Sequence, residues 1–246
     1  MTDPAGLQVA SRRDVVKKKG AMLDPKDYTT EALCRSMLDR HSDTISVRKP
    51  EFAVRKLKII IEAALDLSNS GGFQAMSLRD LSAASGVSMG GLYAYFDSKT
   101  TLLRMILTEV TEQVQRALSD PPEAVRNDAL AHLDWLIDTH VRLTEAMLPW
   151  FTFAFMEAKN FPPEERRRAI DSETLTEDFF AQVIARGKAR GQLPADTSPL
   201  LASLIKPLVQ DWYVKRAKYR RRGISVGTYI AAVQDLVHRG AGHPQG

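Results

Sequence analysis

The stretch from Ser77 to Lys99, SLRDLSAASGVSMGGLYAYFDSK, limits the fold of this chain more than any other. Ser77 has the side chain of a helix N-cap, and Asp80 three residues on supplies a capping-box partner. Leu78, Leu81 and Ala84 recur at helical spacing and give one apolar face. Gly86 accepts the positive φ of a sharp helix exit. Val87 anchors the turn, Ser88 caps a second helix that carries Leu92 and Phe96 inward, and Ser82 is small enough for a close helix crossing. Two short helices joined in this way form a helix-turn-helix, whose second helix fits a DNA major groove. The same pattern also reads as a plain helical hairpin with Tyr93 and Tyr95 in its core.

On the DNA-reading interpretation the outward residues of the second helix are Met89, Gly90, Gly91, Tyr93, Ala94 and Tyr95, with Lys99 opening the next helix. Small residues at the front allow close approach to base edges or phosphate. The tyrosine hydroxyls and the Lys99 ammonium are donors for phosphate oxygens.

The run Gly86-Val87-Ser88-Met89-Gly90-Gly91-Leu92-Tyr93-Ala94-Tyr95-Phe96, with Ser98-Lys99 and Leu102-Leu103, resembles the DNA-binding signature of the TetR family of bacterial transcriptional regulators. Lys56 to Ser68 and the Gly71-Gly72-Phe73 turn match that family's first helix and turn, so the likeness covers about fifty residues. It implies Ser77, Arg79, Ser88, Tyr93, Tyr95 and Lys99 as phosphate or base-edge contacts, beside Met89, Gly90 and Gly91. Two positions depart from the family. Gly91 stands where a larger helix former is usual, at a cost of about 1 kcal/mol relative to alanine. Met89 reads no hydrogen-bond pattern, which shifts sequence preference towards DNA shape.

The rest of the 246-residue chain supports a helical protein. A hydrophobic content of 44% can bury a core, whereas the net charge of +4 is too modest to identify a nucleic-acid binder by itself. One cysteine, Cys34, cannot form an intramolecular disulfide. With no apolar run of membrane-spanning length and no signal-peptide core, the expected location is cytoplasmic, without membrane contact.

The expected organisation is all-α. Residues 1–50 form a basic extension, partly disordered, carrying Arg12, Arg13, Lys17, Lys18 and Lys19, and an amphipathic helix from Thr30 to Arg40 through Leu33, Met37 and Leu38. The cluster is either a solvated tail or an arm that follows the duplex. Residues 51–98 are the DNA-binding domain, completed by a helix bearing Leu57, Ile60, Ile61, Ala64 and Leu65, with Arg55, Lys56 and Lys58 near its start. Residues 99–240 form a helical effector-binding and dimerisation domain, and 241–246 a frayed tail. Within that body, helices are expected from Ser98 to about Leu118, Glu123 to about Met147, Glu164 to Arg190, Ser198 to Arg222 through Pro207, and Ser225 to His238.

Met147, Leu148, Trp150, Phe151, Phe153, Phe155 and Met156 form a dense aromatic cluster for a chain with 7% aromatics. It reads as ordinary core or as one wall of a lipophilic pocket with Trp212 and Tyr213. Gln210, Asp211, Lys206, His132 and His140 are the polar candidates to orient a ligand there, although each histidine reads first as a structural one. The basic run Lys215, Arg216, Lys218, Arg220, Arg221, Arg222 suits helix C-terminal capping, or the phosphates of a coenzyme A thioester. The stretch also resembles that region in family members linked to lipid metabolism.

An enzyme reading finds no support: Glu-x-x-His pairs, spaced Cys/His ligands and phosphate-cradling glycine loops are missing from the sequence, and no metal or cofactor is expected. The resemblance implies a homodimer through the last two long helices, bound to a near-palindromic double-stranded operator with recognition helices about 34–36 Å apart. It further implies a repressor released by a small lipophilic effector, acyl-CoA and fatty acid being the readings the pocket and basic run suggest. The rival is a helical adaptor that works through a protein partner and makes no specific DNA contact.

Overall fold

A computed structural model of the protein describes residues 23–40 and 50–242. The basic cluster at 12–19, Arg48-Lys49 and the residues from 243 onward lie outside the described residues. Within them the chain is all-α. After a 3₁₀ turn at Pro25–Tyr28, whose Lys26 N–H donates to the Asp24 side chain, come α1 (Thr30–Arg40), α2 (Pro50–Gly71), α3 (Leu78–Ser85) and α4 (Met89–Tyr93). They are followed by α5 (Lys99–Leu118), α6 (Glu123–Arg126), α7 (Ala129–Ala146), α8 (Leu148–Met156) and α9 (Pro163–Ala189). The last three are α10 (Leu201–Val214), α11 (Arg216–Arg221) and α12 (Val226–Gly240).

Local chemistry sets most of these boundaries. Ser98, Asp128 and Ser225 cap α5, α7 and α12, each accepting the backbone N–H three residues on. Asp128 also explains why the helix expected from Glu123 to Met147 is broken: its extended backbone ends α6 and starts α7. The helix expected from Ser198 to Arg222 divides as well. It starts at Leu201, because Ser198 Oγ accepts the Leu200 N–H in the preceding turn, and it passes through Pro207. It stops at Lys215, whose φ of −110° and ψ of 25° leave helical geometry before α11.

One contiguous core runs from Leu33 in α1 to Ala241 after α12. α1 packs on α2 and α5; α5 packs on α7, α8 and α9; α10 lies against α7, α8 and α9, and α12 against α7 and α10. Leu33, Cys34 and Met37 are fully buried, so α1 is docked on the body. The α7–α9 crossing is close at Gly187, where a Cβ would come within 2.7 Å of Ala129 Cβ. Among the described residues no helix is long and apolar enough to cross a membrane.

Candidate nucleic-acid interface and ligand cavity

The helix-turn-helix is built by short-range hydrogen bonds. Ser77 and Asp80 form a complete capping box: the Asp80 N–H donates to Ser77 Oγ at 3.1 Å, and the Ser77 N–H to Asp80 Oδ2 at 2.9 Å. The hydrogen bonds from Ser77 hold the Asp80 carboxyl below its usual range. Gly86 ends α3 at φ 66°, Ser82 Oγ donates across the turn to the Val87 carbonyl at 2.7 Å, and Ser88 Oγ accepts from the Gly91 N–H. Gly91 is required by sterics. A Cβ there would lie 2.9 Å from Val87 Cγ1 and 3.2 Å from Ser88 Oγ, so the turn presses directly on α4, while Lys56 Nζ of α2 lies at ordinary contact distance, 3.7 Å. A Cβ at Gly90 would meet nothing within 4 Å.

The exposed side of this unit carries Ser77, Arg79, Ser88, Gly90 and Tyr93, with Lys56 brought alongside from α2. Met89, Gly91 and Ala94 are half-buried, Met89 and Ala94 against the core, and Ala84 is exposed instead of facing inward. Two expected contacts need correction. Tyr95 is a core residue at 5% exposure, its hydroxyl buried without a hydrogen-bond partner among the described residues. The reason is register: Tyr95 and Phe96 follow Leu92 by three and four residues and share its inward face. Lys99 turns back into the protein. Its Nζ donates to the carbonyls of Phe73 (3.2 Å), Gln74 (2.9 Å) and Met76 (3.0 Å), which uses all three ammonium donors. A phosphate contact from Lys99 would have to displace one of them.

That clamped turn is tied to the helical body. The Phe73 N–H donates to Glu157 Oε2 at 3.0 Å, and the Gln74 side-chain amide donates to the Asn160 carbonyl. The Phe73 ring meets Phe153 edge-on at 5.6 Å and Phe161 at 6.2 Å.

On the other side of α8 lies a cavity of about 100 Å³ between α5, α7, α8, α9 and α10. Of the expected pocket residues, His140, Phe151, Phe155, Gln210 and Tyr213 line it, as does Lys206. Met147, Trp150, Phe153 and Trp212 do not: they are buried in the core, so most of the aromatic cluster is packing. Met156 is exposed, and His132 lines a separate cleft with Arg126, Arg186 and Arg190. The basic run at 215–222 does not reach the cavity either; Arg216 pairs with Glu145 and Lys218 with Asp211. Sequence reasoning missed Thr111, Ala169, Glu173 and Thr176, which the fold brings in from α5 and α9.

The two histidines are held neutral. Burial, then the charges of Arg186 and Arg126, pushes His132 down to about 4, and burial, then Lys206, holds His140 well below the usual histidine value. As pH falls through about 6.5, both imidazoles of the unfolded chain take up protons while those of the folded chain do not. Stability is therefore fully present above about pH 6.5 and declines as the pH falls towards 4. Urea midpoints measured at pH 7, 6 and 5 are expected to decrease in that order; a flat series would contradict this account.

Residues 60–106, from the middle of α2 into α5, match the profile of bacterial regulatory proteins of the tetR family. A transcriptional repressor, KstR from Rhodococcus jostii, is 32% identical over 104 residues, which are 39% of this chain and 48% of KstR. The chain spans about half the length of the curated relatives it matches. Among solved structures, the TetR-family regulator PfmR from Thermus thermophilus is 24% identical, with a TM-score of 0.63 over 74% of this chain and 97% of that one. The regulator FadR from Bacillus subtilis, solved in complex with stearoyl-CoA, is 15% identical, with a TM-score of 0.58 over 75% and 98% of the two chains.

Proposed function

We propose that this chain is a DNA-binding transcriptional regulator of the TetR kind, a repressor whose hold on its operator is released when a small molecule fills the cavity; the tetR-family match over residues 60–106 and the likeness to KstR and PfmR support that reading. The observation that carries this reading is the capped helix-turn-helix, which leaves the small residues Ser88 and Gly90 exposed beside Tyr93, Arg79 and Lys56. These groups suit close backbone approach and phosphate contact more than base-edge readout. The domain limits at 51–98 and 99–240 belong to the same proposal.

Release is proposed to pass through α8, because one side of that helix lines the cavity with Phe151, Ala154 and Phe155 while Phe153 and Glu157 hold the Phe73 turn. Homodimerisation through α10 and α12 is supported by Leu200 just before α10, Leu204 on α10 and Leu236 on α12, large apolar side chains more than half exposed.

Gly90→Ala tests the DNA contact directly. The added methyl has open space within the protein, so the helix should gain up to about 1 kcal/mol, whereas affinity for a selected duplex should fall about tenfold. Wild-type affinity should fall steeply and linearly with salt on logarithmic axes. A chain that selects no duplex from a random pool, at any salt, would be an adaptor and not a regulator.

A further inference from the structure

The cavity's polar lining specifies a chemical class of ligand, an inference that rests on the effector-responsive reading above. Lys206 on α10 is 6% exposed and lines the cavity. Its ionic neighbour among the described residues is Glu173 on α9 at 4.0 Å, beyond hydrogen-bonding reach. Burial outweighs the attraction of Glu173 and Glu177 and lowers Lys206 below the usual lysine value. A buried ammonium with three donors and so distant a counter-ion is under-compensated.

His140 on α7, 1% exposed, lines the same space, and its Nδ1 is buried without a hydrogen-bond partner among the described residues. Gln210 and Tyr213 add further polar atoms, while Phe151, Phe155, Val110 and Val114 are apolar.

We propose that the cavity binds a small monocarboxylate, its anionic group on Lys206 and His140 and its apolar body between the aromatic and valine walls. The charge balance selects a monoanion. One ammonium neutralises one carboxylate, and Glu173, whose side chain is half exposed, turns to solvent as the ligand enters. A dianion would face Glu173 and Glu177 with one negative charge uncompensated. A cation would meet Lys206, and a neutral molecule would leave it as poorly paired as before. Size sets the body: a cavity of about 150 Å³ holds benzene, so about 100 Å³ suits a short acyl chain, admits a phenyl ring only as the exposed lining residues Phe155 and Ile170 give way, and excludes a long chain.

The test is calorimetric titration of the full chain at pH 7 with benzoate and hexanoate against their neutral amides, benzamide and hexanamide, and with palmitate and stearoyl-CoA. An acid is expected to bind about tenfold or more tightly than the amide of the same shape. In Lys206→Met that preference should vanish, with circular dichroism as the check on folding. Equal binding of acid and amide by the wild type, which requires no variant, overturns the proposal. So does binding of neither acid, or of the long-chain probes alone. Duplex binding by the unliganded protein, measured on the same preparation, separates the two readings: its persistence alongside any of those results removes only the monocarboxylate, and its absence removes the regulator.

Discussion

Replacing Arg40 with alanine is expected to cost about 3–5 kcal/mol of folding stability, although the residue lies at the end of the first helix and lines neither the cavity nor the helix-turn-helix. Its Nη1 donates to Glu109 Oε2 at 2.8 Å, and Glu109 is fully buried in α5. The other carboxylate oxygen accepts from Gln113 Nε2 at 2.6 Å. Without the guanidinium a charged carboxylate remains in the core with one neutral donor, and α1 loses the polar anchor beside Leu33, Cys34 and Met37. The double substitution Arg40→Leu with Glu109→Met should be much milder, because a matched apolar pair avoids the desolvation that the ion pair only offsets. Urea unfolding of Arg40→Leu, Glu109→Met and the double variant forms the cycle, with Arg40→Ala measured beside it. A loss below about 1 kcal/mol in Arg40→Ala would mean that the carboxylate finds water or another cation, and that α1 is a loosely held appendage.

The contrast between α1 and the helix-turn-helix shows which information is local. Ser77, Asp80, Gly86 and Ser88 work within three or four residues of themselves, so their spacing in the sequence already states their geometry. Leu33 and Met37 likewise announce an apolar face. Partners on distant elements carry no such signal: nothing near Arg40 points to Glu109, and nothing near Lys99 points to the Phe73–Met76 carbonyls. The cavity fails to show for the same reason. The aromatic cluster marks α8, yet a nine-residue helix points its side chains in all directions, so Phe151 and Phe155 reach the cavity while Trp150 and Phe153 fill the core. Thr111, Glu173 and Thr176 become lining residues only once α9 packs on both α5 and α10. Tyr95 is a different case. Its spacing from Leu92 placed it inward, and only its hydroxyl and the family likeness argued for the surface.

Phe73→Ala is expected to be as costly as the loss of Arg40, about 3–5 kcal/mol, and to be felt unevenly across the molecule. The ring is 2% exposed, meets Phe153 and Phe161 edge-on, and has Lys99 Nζ 5.1 Å from its centroid. Its removal leaves a cavity at the junction where the DNA-reading unit rests on α8 and lets the clamped turn loosen. Glu157→Gln at the same junction keeps the volume and weakens one charge-assisted hydrogen bond, so its cost should be nearer 1–2 kcal/mol. Native-state hydrogen exchange distinguishes a strut from a uniform core. Protection in residues 72–96 should fall further than protection in α9 for both variants, because α9 keeps its contacts with α5, α7 and α10. If protection instead falls equally everywhere, the two units unfold as one and α8 is ordinary packing, leaving no local element through which a filled cavity could act on the helix-turn-helix. If only 72–96 opens, the junction is separable from the body, and a ligand that shifts α8 has a mechanical route to the DNA contact that costs only the Phe73 and Glu157 contacts.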